Sequence, residues 1–196
     1  MNPLYERVID DLIVNSYAIA DGFLEEAVLQ GLRNQLLLKI AAEDLNRAGV
    51  GNKTNLVKNQ QIRTDKIQWI AADSTEPSEE IFNRQIKDFC DYLNRTCYAG
   101  IRDAEFHYAC FEKGAFYKRH IDRFRNDNAR KFSMVTYLND TWEEHDGGHL
   151  MIYKDQADIA VSPIWGRTVI FKSDVLEHEV MVAQKDRLSV TGWLRG

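Results

Sequence analysis

The sequence predicts a mainly β chain of the jelly-roll or barrel kind, resting on helices that come first. Three observations carry that prediction. Beyond Arg102 the chain breaks into about eight short runs of strand-forming residues, each bounded by turn residues. Before that point, two stretches repeat apolar residues at helical spacing. With 196 residues the chain also has the size of one hydrophobic core, which at this length needs no disulfide or metal staple. We therefore expect an α+β, mainly β architecture forming one domain over 1–196, with helical support in 1–100 and a jelly-roll core over about 101–196.

The first helix is expected from Asp21, a suitable N-cap, to Gly49, a suitable residue just past a helix end. Phe23, Leu24, Ala27, Val28, Leu36, Leu37, Ile40 and Leu45 form its apolar stripe. The second starts at Pro77, tolerated in a first helical turn, and runs to about Gly100. Phe82, Ile86, Phe89, Cys90, Leu93 and Cys97 form its stripe. Both stripes should pack on a sheet. Between the helices, QIRTDKIQWI alternates well enough to be a strand. The later strands are expected at 105–111, 115–120, 131–138, 148–153, 159–162, 168–172, 177–182 and 187–194. Their separators carry turn chemistry: Lys113-Gly114, Asp146-Gly147-Gly148, Trp165-Gly166 and the polar stretch 184–186.

Composition narrows the function classes. With 44% hydrophobic and 28% charged residues the chain is typical of soluble globular proteins. No window reaches the roughly 18 consecutive apolar residues of a membrane span. The opening MNPLYERVIDDLIVNSY has neither a basic leader nor a continuous apolar run, so no signal peptide is read and the cytoplasm is the expected location. Cys90, Cys97 and Cys110 are odd in number and form no CxxC pair, which points away from disulfides and thiolate zinc; Cys90 and Cys97 read as core filler. A net charge of −5 with dispersed Lys and Arg leaves no footprint for nucleic acid.

The chemistry concentrates around FYKRHIDRF. His120 and Asp122 are two residues apart, so on a strand both side chains leave one face and can meet one metal ion. A third ligand completes a two-histidine, one-carboxylate facial triad, which leaves positions open on Fe(II). His178, 58 residues beyond His120, is the best candidate, because several antiparallel strands can return the chain to its start over that distance. On its own, the HxD tripeptide reads more readily as an exposed polar spot at a strand end. Arg187 and Thr191, four apart on a later strand, share a face. A guanidinium inside a barrel calls for an acidic ligand, whose carboxylate matches its planar fork; surface placement is the plain alternative. His145 and His149 flank a glycine turn and His107 has no carboxylate close in sequence, so loop and packing roles are expected for all three.

Taken together these residues resemble the prolyl-hydroxylase branch of the 2-oxoglutarate oxygenases, above all the hypoxia-inducible-factor prolyl hydroxylases and their bacterial relatives. The resemblance rests on the order HxD, TYLN, GGxL, HEV, then Arg187 with Thr191 and Trp193, and upstream on IRTDKIQWI. It spans about two-thirds of the chain. It implies a double-stranded β-helix in which His120, Asp122 and His178 hold Fe(II). Arg187 would grip the distal carboxylate of 2-oxoglutarate, Tyr137 would donate its hydroxyl to that carboxylate, and Thr191 would be a further pocket position. Asp65 and Arg130 match positions near the peptide-substrate entrance. Where the family often has a tyrosine after an AC pair, this chain has Phe111, so a hydroxyl contact is lost there; Tyr108 or Tyr117 could replace it.

The implied activity is hydroxylation of a prolyl residue in a protein or peptide, with 2-oxoglutarate converted to succinate and CO2 and ascorbate as a possible reductant. Retention of Asp122 favours hydroxylation, since halogenating relatives replace the carboxylate with a small residue. Other readings are a hydroxylase of a small molecule or free amino acid, a nucleic-acid dealkylase, and a jelly-roll binding protein without turnover. Dealkylases typically carry a second arginine six residues after the first, where this chain has Trp193. The polar segments 49–61 and 123–130 are expected to cover the mouth of the site, Arg123, Arg125 and Arg130 giving it positive charge. Oligomeric state is not readable from the sequence.

Overall fold

A computed structural model describes residues 2–49, 61–122 and 129–196. Asn2 opens helix α1 (Pro3–Asn15): its side chain accepts from the Leu4 and Tyr5 amides at 3.0 and 3.4 Å, and Pro3 occupies a first-turn position where a missing N–H is harmless. Tyr5, Val8, Ile9 and Leu12 lie on its buried face. The helix was not expected from the sequence, nor was strand β1 (Tyr17–Ala20) behind it. Helix α2 (Glu26–Ala41) is shorter at both ends than the expected 21–49. Asp21 does not cap it, because its carboxylate is taken by Arg167 at 2.9 and 3.0 Å. Past Ala41 the chain turns into β2 (Asn46–Arg47), which pairs with β3 (Lys66–Trp69), so Gly49 ends no helix. Helix α3 (Pro77–Cys97) starts at Pro77 as expected, with the Glu76 carboxylate accepting from Glu79 N at 2.9 Å. Cys90 is buried, but Cys97 is exposed at the helix end rather than filling the core.

Eight strands follow where eight were expected: β4 (Asp103–Phe111), β5 (Tyr117–His120), β6 (Arg130–Tyr137), β7 (Leu150–Ile152), β8 (Ile159–Val161), β9 (Thr168–Lys172), β10 (His178–Val180) and β11 (Arg187–Arg195). They build a double-stranded β-helix from two antiparallel sheets. The major sheet runs β1-β9-β6-β11-β4-β3-β2 and the minor sheet β5-β10-β7-β8.

Period-two alternation on the major sheet sorts its side chains into two layers. Phe106, Tyr108, Cys110, Met134, Ile170, Leu188, Val190 and Leu194 pack outward against the helices, joining Leu32, Leu36, Phe82, Phe89 and Leu93. Ala109, Phe111, Val135, Tyr137, Val169 and Phe171 face inward and meet Leu150, Ile152, Val161 and Val180 of the minor sheet. Each such fully buried apolar side chain contributes about 1.5–3 kcal/mol, so the helical layer steadies the sheet while its inner face is free to carry chemistry. Gly192 lies mid-strand on β11: a Cβ there would collide with the Glu105 carbonyl oxygen and the Phe106 ring. Of the two segments expected over the mouth, residues 50–60 and 123–128 lie outside the described residues. Among those described, no helix is long and apolar enough to cross a membrane.

Candidate active site

The inner faces of the two sheets enclose a chamber lined from both sides. Its charged and polar walls assemble by strand register. On the minor sheet His178 of β10 lies directly opposite His120 of β5, which is how residues distant in sequence meet. Asp122, two residues past His120 and just beyond the strand, completes the group. One ligand atom from each residue lies within 4.8 Å of the others, a set able to hold a metal ion. The His120 and His178 Nε2 atoms each stand 3.5 Å from an Asp122 oxygen.

Each of the three is fixed from behind. The His178 Nδ1 faces the Leu176 carbonyl at 3.2 Å and the His120 Nδ1 faces the Lys118 carbonyl at 2.7 Å, which sets both Nε2 atoms toward the chamber. The Tyr117 ring stacks on His120, with centroids 3.6 Å apart, and the Arg63 guanidinium lies over the other part of this wall, 4.4 Å from the Tyr117 ring. Asp122 Oδ2 accepts from Ser133 Oγ at 2.6 Å and from Trp193 Nε1 at 2.9 Å, so two strands of the major sheet hold the carboxylate. Burial works against charge on Asp122, but the neighbouring His178 and His120 imidazoles and the Ser133 hydroxyl outweigh it and keep the carboxyl well below its usual range. Burial pushes His178 down to about 4 despite Asp122, which keeps the imidazole neutral and its lone pair available.

Deeper in the chamber Arg187 is 1% exposed. Its Nε donates to the Gly148 carbonyl at 2.9 Å, and its guanidinium lies 5.1 Å from the Phe111 ring centroid and 4.8 Å from that of Tyr137. Neither Arg187 Nη2 nor the fully buried Tyr137 hydroxyl has a hydrogen-bond partner. Among the described residues no carboxylate forms an ion pair with Arg187. Burial lowers the affinity of this arginine for its proton and raises the Tyr137 pKa, each opposed by the other group. Two orphaned donors converging in an apolar layer fit an anionic ligand with at least two acceptor oxygens. Thr191, on the same face of β11, lines the chamber with its Oγ1 3.2 Å from Ser189 Oγ.

Of the two positions expected near the substrate entrance, Asp65 lines the same chamber and Arg130 stacks on one of its lining residues, Trp193. Asp65 lines it but is 1% exposed, with both oxygens held by Arg63 at 2.7 and 2.6 Å. The Arg130 guanidinium lies 3.4 Å from the Trp193 ring centroid and 3.4 Å from Glu105 Oε1. Phe111 is on the wall with no hydroxyl to offer. Tyr108 cannot supply one, since it points into the helical layer and donates to Glu79 Oε1 at 2.9 Å, whereas Tyr117 is a chamber residue. Sequence reasoning missed Ser133, Arg63 and the use of Trp193 as a hydrogen-bond donor, and it placed His107 among packing residues although it too lines the chamber. Polar residues at inward positions of strands β4, β6 and β11 were the signal for His107, Ser133 and Trp193, whereas Arg63 lies ahead of β3 and outside those strands. His145, largely exposed in the turn Glu144–Asp146, is not among the residues lining the chamber.

Comparison with known proteins places this geometry. The family model of the 2OG-Fe(II) oxygenase superfamily matches residues 106–195. A prolyl-4-hydroxylase of Pseudomonas putida superposes with a TM-score of 0.88 at 34% identity, covering 97% of this chain and 98% of that one. A prolyl hydroxylase of Trichoplax adhaerens, solved with a hypoxia-inducible-factor peptide, gives 0.87 at 27% identity, covering 98% of this chain and 89% of that one. A non-heme alpha-ketoglutarate-dependent epimerase from nogalamycin biosynthesis shares the fold alone, at 14% identity and a TM-score of 0.68, over 96% of this chain and 81% of that one.

Proposed function

From its membership of the 2OG-Fe(II) oxygenase superfamily, in the prolyl-4-hydroxylase type, as an Fe(II)- and 2-oxoglutarate-dependent dioxygenase, we propose that this chain hydroxylates prolyl residues of a protein or peptide. His120, Asp122 and His178 are the iron ligands in this reading, and Arg187, Tyr137 and Thr191 hold 2-oxoglutarate. The observation that carries it is a pair of unsatisfied buried donors: Arg187 Nη2, on the wall of the chamber that holds the His-Asp-His group, and the hydroxyl of Tyr137, whose ring lies 4.8 Å from that guanidinium. A buried guanidinium without a counter-ion costs several kcal/mol unless an anion neutralises it. The distal carboxylate of 2-oxoglutarate is such an anion, and it matches the planar fork of Arg187.

Iron held by these ligands supplies the oxidation chemistry, in which substrate C–H, O2 and 2-oxoglutarate become substrate C–OH, succinate and CO2. The protein's own part is geometry. Trp193 and Ser133 orient Asp122, and the stacked Tyr117 orients His120. Phe111, Val135, Leu150, Phe171 and Val180 line the walls with apolar surface that excludes water from the reacting centre. Asp65 serves the substrate entrance through its bidentate pairing with Arg63, and Arg130 through its stacking on Trp193. Trp69, 47% exposed and 6.4 Å from Trp193 between ring centroids, offers an aromatic surface suited to a pyrrolidine ring.

The test supplies the protein with Fe(II), 2-oxoglutarate, ascorbate and a tryptic peptide pool, then maps mass gains of one oxygen and quantifies succinate. Oxygen added at proline, in step with succinate and lost in His178→Ala, is the expected result. Oxygen added at other residues, or activity retained in His178→Ala, would overturn the prolyl reading or the ligand assignment respectively.

A further inference from the structure

His107 is the polar group of the chamber to which the activity above gives no task. It lies on the inward face of β4, opposite Thr191 of β11 and Trp69 of β3. Its ring is wedged between two indoles, with centroids 5.0 Å from Trp69 and 5.5 Å from Trp193, and it is 2% exposed. Its Nδ1 is fully buried and has no hydrogen-bond partner. Burial, reinforced by the cations Arg63 and Arg130 and only partly opposed by Asp122, pushes this imidazole down to about 3, so it is neutral. A phenylalanine would fill the same slot between the indoles without burying an unsatisfied nitrogen, and packing alone therefore does not account for a histidine here.

We propose that His107 determines substrate specificity by donating a hydrogen bond from Nδ1 to a backbone carbonyl oxygen of the bound peptide, beside the residue to be hydroxylated. The inference rests on the prolyl-peptide reading of the site. A neutral imidazole carries one N–H and one lone pair. A prolyl residue has no N–H to give, so the peptide bond before its ring presents an acceptor and no donor, and its own carbonyl oxygen adds a second acceptor. An imidazole facing them is useful as a donor, which assigns the proton to Nδ1. Trp69 and Trp193 then contact the apolar ring while His107 reads the adjacent amide, so a free hydrocarbon or an amine of the same size is bound less well.

The experiment uses the Fe(II)- and 2-oxoglutarate-loaded enzyme with a tryptic pool from a cell lysate, and then the best hydroxylated peptide as a synthetic probe. His107→Phe keeps the aromatic wedge and loses both nitrogens. His107→Asn restores an N–H near the position of Nδ1. Loss of one hydrogen bond should raise the peptide KM roughly tenfold in His107→Phe, with kcat within about threefold and the Mn(II)-supported dissociation constant of 2-oxoglutarate within about twofold of wild type. His107→Asn should recover most of the KM. A peptide KM unchanged in His107→Phe overturns the proposal, as does an asparagine variant no better than phenylalanine. If His107→Phe fails to bind 2-oxoglutarate and is therefore misfolded, His107→Leu takes its place in the same comparison. Oxygen added by wild type at residues other than proline overturns the prolyl reading, while the phenylalanine and asparagine comparison on that peptide still decides the role of His107. A wild type that modifies no peptide overturns both.

Discussion

Arg187→Met should make the protein more stable without 2-oxoglutarate and less stable with it. Without the cosubstrate, the wild type buries a guanidinium that has one hydrogen bond, to the Gly148 carbonyl at 2.9 Å, one orphaned Nη2 and no carboxylate partner among the described residues. Removing that bond costs about 1.5–3 kcal/mol, as for bonds to charged groups. Removing an uncompensated buried charge returns several kcal/mol, and apolar replacements of buried ionic groups commonly gain about 1–4 kcal/mol. A net gain of about 1–2 kcal/mol corresponds to roughly 2 to 8 °C in Tm for a chain of this size. The cosubstrate reverses the order. Truncating one partner of a buried charge pair costs about 2–5 kcal/mol of affinity, hence a rise in Kd of roughly 30-fold to several thousandfold. At 2-oxoglutarate 100 times the wild-type Kd, ligand linkage stabilises the wild type by about 2.7 kcal/mol and the variant by no more than about 0.9 kcal/mol. Scanning calorimetry of Mn(II)-loaded protein, with and without 2-oxoglutarate, reads both halves. A variant that is destabilised without cosubstrate, or that keeps the wild-type shift on adding it, would identify Arg187 as a structural arginine and refute the reasoning.

Trp193→Phe removes the indole donor to Asp122 while keeping an aromatic ring under Arg130, and it should weaken Mn(II) binding about 10- to 100-fold by calorimetry; unchanged affinity would show that Ser133 suffices. Gly192→Ala forces a methyl group against the Glu105 carbonyl and the Phe106 ring in the centre of β11, so a loss of about 3 kcal/mol or more is expected in urea unfolding, or failure to accumulate in soluble form. Acid should weaken the metal-free protein before any carboxylate titrates. His107 and His178 are held down to about 3 and about 4, below the roughly 6.5 of an unfolded histidine. The unfolded chain therefore binds more protons in that window, and stability present at pH 7 is lost as pH falls through 6.5. Each contributes a loss of about 2 kcal/mol between pH 7 and pH 5, read from urea midpoints, and His107→Phe should remove about half of the total.

The parts of this site that were legible share one property, a local repeat of two. His120 with Asp122, and Arg187 with Thr191, could be placed on common faces because a strand alternates sides whatever its partners are. The eight strand positions beyond residue 101 were legible for the same reason, with glycine turns marking their ends. What sequence could not supply was pairing. Asp21 looked like a helix cap until Arg167, on the far side of the chain, claimed it. Residues 42–49 continued an apolar helical pattern, but β3 offered them an edge to pair with. Helix α1 is a different case: Asn2 and Pro3 ahead of Tyr5, Val8, Ile9 and Leu12 are a complete local signal, a cap followed by an apolar stripe at helical spacing.

The inner layer shows why the functional residues break the pattern that builds the fold. On β4, β6 and β11 the outward positions are almost uniformly apolar and pack on helices, whereas the inward positions include His107, Ser133, Tyr137, Arg187, Ser189 and Thr191. Polar groups at inward positions of a closed sandwich weaken the contact between its sheets, and three of them retain unsatisfied atoms. A chain selected for stability alone would fill those positions with valine and leucine. Their retention makes sense if the missing partners are ligands: two donors for the cosubstrate carboxylate, one for the substrate backbone. The helical layer and the aromatic group of Tyr5, Phe23, Phe89 and Tyr92 on the opposite side of the major sheet then supply the stability that the chamber forgoes. Ligand-induced stabilisation should accordingly be large relative to that of an apolar cavity of similar size, because binding satisfies donors already desolvated in the free protein.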